Sequence, residues 1–421
     1  MNMKLRLIVM NFLEFAVWGS YLTSMGAYLA SSGLGTDIGN YYALQGIVSI
    51  FMPALMGIVA DRWVPAQRLL SLCHLLAAVF MLVASYIGLS AGPEGVNGAA
   101  LFGAYAMSVA FYMPTLALSN SVAYNALDKA GLDTVKAFPP IRVFGTVGFL
   151  CAMWLVDLAG WQNTPIQFIE SGVFGLLMAG YAWFMPDCPL SKGEGKSLVE
   201  AFGLKAFTLF KQKRMALFFI FSFLLGVSLQ ITNGYANPYI QSFGDLDMFK
   251  GLFFVEHSNL LVSLSQISET LCILLIPFFL KRYGIKIVML IAMLAWVGRF
   301  GFFGCGDPGS GVWLFILSCI VYGVAFDFFN ISGSLFVDKE TDLSIRSSAQ
   351  GLFMLMTNGL GATVGSFAAK AVFNNYVFAE GLDALQQNEG WRTSWYIFAG
   401  YALVVAILFA LLFQYKHVKE E

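Results

Sequence analysis

The sequence predicts an all-α polytopic membrane protein, with twelve transmembrane helices in two six-helix halves. Three observations predict it. The 421 residues are 58% hydrophobic and only 12% charged, about half the charge of an ordinary soluble domain. Twelve apolar stretches follow one another along the chain, most with the ~20 residues needed to cross ~30 Å of hydrocarbon. Lys and Arg gather at alternate ends of these stretches, which orients them all in one sense.

The stretches run over 5–29, 38–60, 66–90, 98–125, 138–160, 166–186, 214–240, 255–280, 284–304, 311–336, 346–374 and 392–414. The first follows Lys4 and Arg6 as a secretory signal would. It runs on past Glu14 without a clear small-residue cleavage site, and is read as an uncleaved membrane helix. Turn and charge signals separate many of the others: Asp61-Arg62, Gly92-Pro93-Glu94-Gly95, Lys281-Arg282-Tyr283-Gly284 and Gly306-Asp307-Pro308-Gly309. The longest polar connection, 187–213, carries a Gly/Lys run at 191–196 and an amphipathic stretch at 198–210, expected to lie on the membrane surface. It divides residues 1–186 from 214–421. With the N-terminus in the cytoplasm, only Lys250, Arg299, Lys370 and Arg392 fall at outer ends, so both termini are expected inside. A plan of two six-helix halves is that of many secondary transporters, whose sites lie near mid-membrane.

Composition also excludes. No basic run or nucleic-acid-reading motif is present, so no nucleic-acid polymer is expected as a partner. The six cysteines are scattered, without a C-x-x-C pair, and the three histidines show no ligand spacing. No metal and no cofactor are expected. No H-E-x-x-H pair, Ser-His constellation or nucleotide-binding glycine loop argues for an enzyme.

Polar residues inside the apolar stretches carry the functional signal. Glu269 and Asp327 sit about twelve residues from Lys281 and eleven from Asp338, roughly 16 Å deep at ~1.5 Å per residue. Ionisable groups at such depth are costly to insert and mark transport or proton paths by default. Gln266 precedes Glu269 by three residues, and Asn330 follows Asp327 by three. Gln230 and Asn233 are also three apart, and Arg142 and Thr146 four, so each pair shares a helix face. Gln230 lies toward the outer side, whereas Pro139-Pro140 suggests a helix start that leaves Arg142 shallower. The bland reading is that amides bond neighbouring helices, worth ~0.6 kcal/mol each. Glu14, one turn before Trp18, either faces a cavity and titrates or hydrogen-bonds a neighbour. Arg299 and Lys370 are expected to snorkel to the outer surface.

The corner Gly57-Ile58-Val59-Ala60-Asp61-Arg62 resembles the G-x-x-x-D-R loop of the major facilitator superfamily, although Trp63-Val64-Pro65-Ala66-Gln67 replaces the loop's later Gly and basic residues. Longer strings are more specific: 138–149 around Arg142 and Thr146, Leu229-Gln230-Ile231-Thr232-Asn233, Ser265-Gln266-Ile267-Ser268-Glu269-Thr270, 322–333 around Phe326, Asp327 and Asn330, and the tail at 415–418. They resemble the bacterial nucleoside:proton symporter family, the NupG-like permeases, over essentially the whole chain. The resemblance implies a major facilitator fold and a substrate pocket at Arg142, Thr146, Gln230, Asn233, Gln266, Glu269, Tyr322, Phe326 and Asp327.

That chemistry suits a nucleoside. Ribose hydroxyls donate to carboxylates, and amides match the edges of a base. Phe149, Tyr322 and Phe326 lie near the polar pairs, where they can stack on its face. The expected function is proton-coupled nucleoside uptake by alternating access across the bacterial inner membrane. The expected partners are nucleosides, protons and membrane lipid, and the chain is expected to act as a monomer. Desolvation favours the neutral form of a buried carboxylate, which suits proton carriage; Asp327, Glu269 and Glu14 are the candidates. The alternative, export of hydrophobic cations, also uses buried acids, but the amide-rich pocket argues against it.

Overall fold

The computed structural model describes residues 2–190, 204–342 and 345–415. The run at 191–196, the start of the amphipathic stretch and the tail beyond 415 lie outside the described residues. The rest of that stretch forms a 3-10 helix, Leu204–Lys211, which buries Ala206 and Leu209. Every longer element among the described residues is helical, and the one β-type pairing among them is an isolated bridge between Gly92 and Gly95.

The chain packs as two compact units: Met1–Gly35 with Ile47–Phe202, and Thr36–Gly46 with Gly203–Glu421. The helices contributing to the first are α1 (Met3–Gly19), α2 (Met25–Ser31), α3 (Ile38–Arg62), α4 (Ala66–Leu89), α5 (Gly98–Tyr112), α6 (Thr115–Lys129), α7 (Thr134–Leu158) and α8 (Ile166–Trp183). Helix α1 packs on α7 and α8, and α4 on α5 and α8. Glycine permits the α1–α7 approach, since a Cβ at Gly19 or Gly148 would run into the backbone of Phe149 or Phe12. Small residues serve this purpose generally where membrane helices touch. Leu7, Met10, Leu70, Val122, Leu127 and Met178 form part of the apolar core.

The second unit contains α9 (Lys213–Gly226), α10 (Ile231–Ser242), the short α11 (Phe253–Glu256), α12 (Ser258–Cys272), α13 (Ile276–Cys305), α14 (Val312–Glu340), α15 (Arg346–Met354), α16 (Ala362–Tyr376) and α17 (Ala384–Leu412). Helix α14 packs on α12 and α13, and α13 on α17. Tyr239, Phe373, Trp391 and Trp395 interlock, with ring centroids 5.0–5.7 Å apart. Such aromatic pairs add ~0.5–1.5 kcal/mol each beyond their burial. The start of α3 belongs to this unit through polar contacts. Lys370 donates to Asp37 and Asn40 at 3.3 and 3.0 Å, and Asn374 donates to the Thr36 carbonyl. Lys370 therefore does not snorkel freely as its sequence position suggested.

Among the described residues, nine helical stretches are long and apolar enough to cross a membrane, fewer than the twelve expected. The differences have local causes. The first apolar stretch is interrupted at 20–24, which leaves α1 with 17 residues. Helix α8 has 18 residues, and Gln167 and Glu170 dilute its apolar character. The 48-residue stretch Ser258–Cys305 covers two expected spans; Gly284, at φ 76° inside α13, supplies a left-handed backbone that only glycine adopts readily. Two more stretches are broken, at Met113-Pro114 and at 227–230. A π-helical segment, Leu355–Gly361, joins α15 to α16. Non-helical backbone at membrane depth is tolerated only within protein or against a water-filled cavity.

Candidate functional site

In the second unit, α12 and α14 bring five of the expected residues together. Helix α12 carries Gln266 and Glu269; α14 carries Tyr322, Phe326 and Asp327. The helices approach closely at Gly323, where a Cβ would lie 2.6 Å from the Ser268 backbone. The Ser268 hydroxyl donates to the Ile320 carbonyl across the same contact. Glu269, half-buried, acts electrostatically on both Tyr322 and Asp327. Tyr322 and Phe326, one helical turn apart, stack at 5.8 Å with planes inclined by 11°. Asp327 is 6% exposed, and its Oδ2, like Asn330 Oδ1, is buried without a hydrogen-bond partner. A buried acceptor left unpaired costs ~1–3 kcal/mol.

Arg299 corrects a sequence expectation. It does not reach the outer surface but is buried on α13. Its Nη1 donates to the Ser265 hydroxyl at 3.0 Å and the Ser318 carbonyl at 2.9 Å. The guanidinium lies 4.9 Å from the Tyr322 ring centroid, and Trp296 meets the same ring edge-on at 5.9 Å. Tyr322 is thus held between a cation and an indole. Position alone, near the end of a predicted span, concealed this.

Gln230 and Asn233 adjoin the break between α9 and α10. Gln230 precedes α10, Asn233 lies in its first turn, and the Asn233 amide donates to the Gln230 carbonyl oxygen at 2.9 Å. Their shared face, read from spacing, is realised as a direct bond. Deeper in the unit Asn237, Gln241, Ser258 and Asn259 form a further polar network.

In the first unit Arg142 stands well inside α7, which begins at Thr134 and runs through Pro139 and Pro140; the prolines do not start the helix, as the sequence had suggested. The Arg142 guanidinium covers the Phe15 ring at 3.8 Å. Thr146 lies one turn on, half-buried, and Phe149 is buried with its ring edge-on to Trp18 at 6.3 Å. Glu14 is fully buried: His74 Nε2 lies 2.7 Å from its Oε2, and the Thr115 hydroxyl donates to its Oε1 at 2.6 Å. The histidine partner was not legible, because it lies 60 residues away on another helix. Glu170 was missed for a different reason. It lies in the first turns of its apolar stretch, near an end, where depth does not single it out; the Ser20 hydroxyl donates to its Oε1 at 3.3 Å.

A helical membrane protein with carboxylates, amides and stacked aromatics inside its bundle has the features of a multi-pass transporter. The comparisons agree. Residues 1–418 match the family described as nucleoside H+ symporter, and the chain belongs to that family. It is 45% identical over 425 residues to the nucleoside permease NupG of Escherichia coli K12, covering 100% of this chain and 98% of the relative. It is 47% identical over 426 residues to the xanthosine permease of the same organism, with the same coverage. The crystal structure of the nucleoside transporter NupG matches with a TM-score of 0.89 at 45% identity, covering 99% of this chain and all of that one. The fold is of the major facilitator type, and the family is one of permeases rather than enzymes.

Proposed function

We propose that the chain takes up nucleosides together with protons, by alternating access across the bacterial inner membrane. The family and the two permease relatives support this reading. The observation that carries it to particular residues is the α12–α14 cluster. There Asp327 Oδ2 is buried and unpartnered beside Glu269 and the stacked rings of Tyr322 and Phe326. An acceptor of this kind suits a ribose hydroxyl or a proton, and flat rings suit a base. Gln230, Asn233 and Gln266 are proposed to bond base edges or ribose. Arg142, Thr146 and Phe149 are proposed as substrate-contacting side chains of the first unit. Asp327 and Glu269 are the proposed proton carriers, with Glu14 as a third candidate.

We further propose twelve crossings in two six-helix halves, 1–186 and 214–421, joined by a cytoplasmic connection at 187–213. If the broken first stretch and α8 each cross, and Ser258–Cys305 crosses twice about Gly284, the nine long stretches become twelve spans. Both termini are proposed to be cytoplasmic, and the working form a monomer in lipid.

Uptake of labelled uridine, adenosine and xanthosine by cells lacking their own nucleoside carriers tests this reading. Accumulation that a proton uncoupler abolishes is the expected result; no uptake of any of the three refutes it. A finer test separates substrate contact from helix glue. Gln230→Ala, Asn233→Ala and Gln266→Ala are each expected to weaken nucleoside affinity by ~1–3 kcal/mol, roughly tenfold or more, with little change in melting temperature. Calorimetry on purified protein reads the affinity. Unchanged affinity in all three would assign these amides to structure.

A further inference from the structure

The first unit holds a buried acid–base pair apart from the proposed nucleoside contacts. We propose that Glu14 and His74 form a proton-binding pair of the transporter, loaded and unloaded at the imidazole Nδ1. The proposal rests on reading the chain as a proton-coupled nucleoside carrier.

The geometry gives the pair one open position. Both side chains are 0% exposed. Glu14 Oε2 faces His74 Nε2 at 2.7 Å, and its Oε1 accepts from Thr115 at 2.6 Å. The Glu14 carbonyl accepts from the Tyr112 hydroxyl at 2.9 Å. Tyr112 ends α5 and Thr115 begins α6, so both hydroxyls come from the break at Met113-Pro114. Each of Glu14's oxygens thus has a side-chain partner. His74 Nδ1, by contrast, is buried and has no hydrogen-bond partner. That atom is the position at which the pair can gain or lose a proton.

The proton balance is simple. With Nε2–H donating to the carboxylate, the pair carries a net charge of minus one and Nδ1 holds a lone pair. One proton on Nδ1 gives carboxylate and imidazolium, net zero, and no bond between heavy atoms forms or breaks. In low dielectric that single proton removes a costly uncompensated charge. The neighbouring ionisable groups are few. Helix α4 adds Cys73, which interacts with Glu14; α5 adds Tyr112, which also senses Tyr21 and, from α7, Arg142. Helix α8 brings Glu170, bonded to Ser20 just beyond α1, and α6 brings the non-titrating Thr115.

The pair also adjoins side chains that meet the proposed substrate residues of its own unit. Trp18, one turn after Glu14, lies 6.2 Å from Tyr112 and 6.3 Å from Phe149. Phe15, the residue next to Glu14, lies under the Arg142 guanidinium. A change of charge on the pair therefore acts one side chain away from Phe149 and Arg142.

The test uses the full-length protein in detergent micelles. Uridine is titrated calorimetrically in buffers of different ionisation heat, which counts the protons taken up on binding. Wild type is expected to take up protons, and E14Q and H74Q each to lose part of that uptake and to displace the pH profile of uridine affinity. Equal proton uptake and superimposable profiles in wild type and both folded variants would overturn the proposal. A second readout does not depend on either variant folding. In an H257Q/H417Q background His74 is the one histidine left, and its 13C-labelled imidazole resonance is expected to move when the pH is changed and to move again with uridine. A resonance unmoved by both pH and uridine also overturns it. Wild-type protein that binds no uridine would instead refute the nucleoside reading on which the pair depends.

Discussion

Asp327→Asn and Glu269→Gln are each expected to abolish uphill nucleoside accumulation while the protein stays folded and inserted. Asp327 is buried with one oxygen unpartnered, and Glu269 acts on it across the α12–α14 contact. An amide keeps the shape of each side chain and removes its ability to gain and lose a proton. A hydrogen bond to a charged group contributes ~1.5–3 kcal/mol, so affinity is expected to fall about tenfold to a hundredfold as well. Uptake into membrane vesicles under an imposed proton gradient measures the first effect, and thermal melting checks the fold. Normal accumulation in both variants would remove the carboxylates from the account.

Gly323→Ala is expected to damage the same site without touching a charge. Its Cβ would lie 2.6 Å from the carbonyl carbon and oxygen of Ser268, which are backbone atoms and have no rotamer to escape into. Helix α12 must then move off α14, straining the bond from the Ser268 hydroxyl to the Ile320 carbonyl. Overpacking of this kind costs ~1–3 kcal/mol. The shift also separates Gln266 and Glu269 from Tyr322 and Asp327, so uridine affinity falls with stability. Gly400→Ala is the control: a Cβ there meets nothing within 4 Å, and alanine is favoured over glycine inside a helix by ~0.5–1 kcal/mol. Melting temperature and affinity, measured on both variants, are expected to fall for Gly323→Ala and hold for Gly400→Ala. Equal behaviour would mean that the α12–α14 approach is not a constraint.

Much of this was legible in the chain because the bilayer reduces folding to few rules. Apolar length gave the helices, and costly depth singled out Glu269 and Asp327. Helical spacing put Gln230 beside Asn233, and the two side chains bond directly. What spacing could not supply was contact between helices far apart in sequence. His74 seemed a lone histidine until α4 met α1, and Arg299 seemed a snorkelling end residue until Ser265 and Ser318 closed around it. The breaks at 20–24 and 227–230 were also hidden, since apolar residues continue through them while the backbone does not. Pro139 and Pro140 misled in the opposite sense, marking a helix start where α7 was already under way.

The central claim is that proton and nucleoside bind together, and its most direct measurement is uridine affinity as a function of pH. If protonated protein binds substrate better than deprotonated protein, linkage requires substrate binding to take up protons. Affinity must then be highest at low pH and fall as pH rises through the titration of the coupling group in the free transporter. The measurement is made from about pH 5 to 9, wide enough for a carboxylate perturbed by its surroundings, on wild type and on Asp327→Asn, Glu269→Gln and Glu14→Gln. The account predicts a falling wild-type profile, flattened in the variant that lacks the proton carrier. A flat wild-type profile, together with accumulation insensitive to an uncoupler, would contradict it.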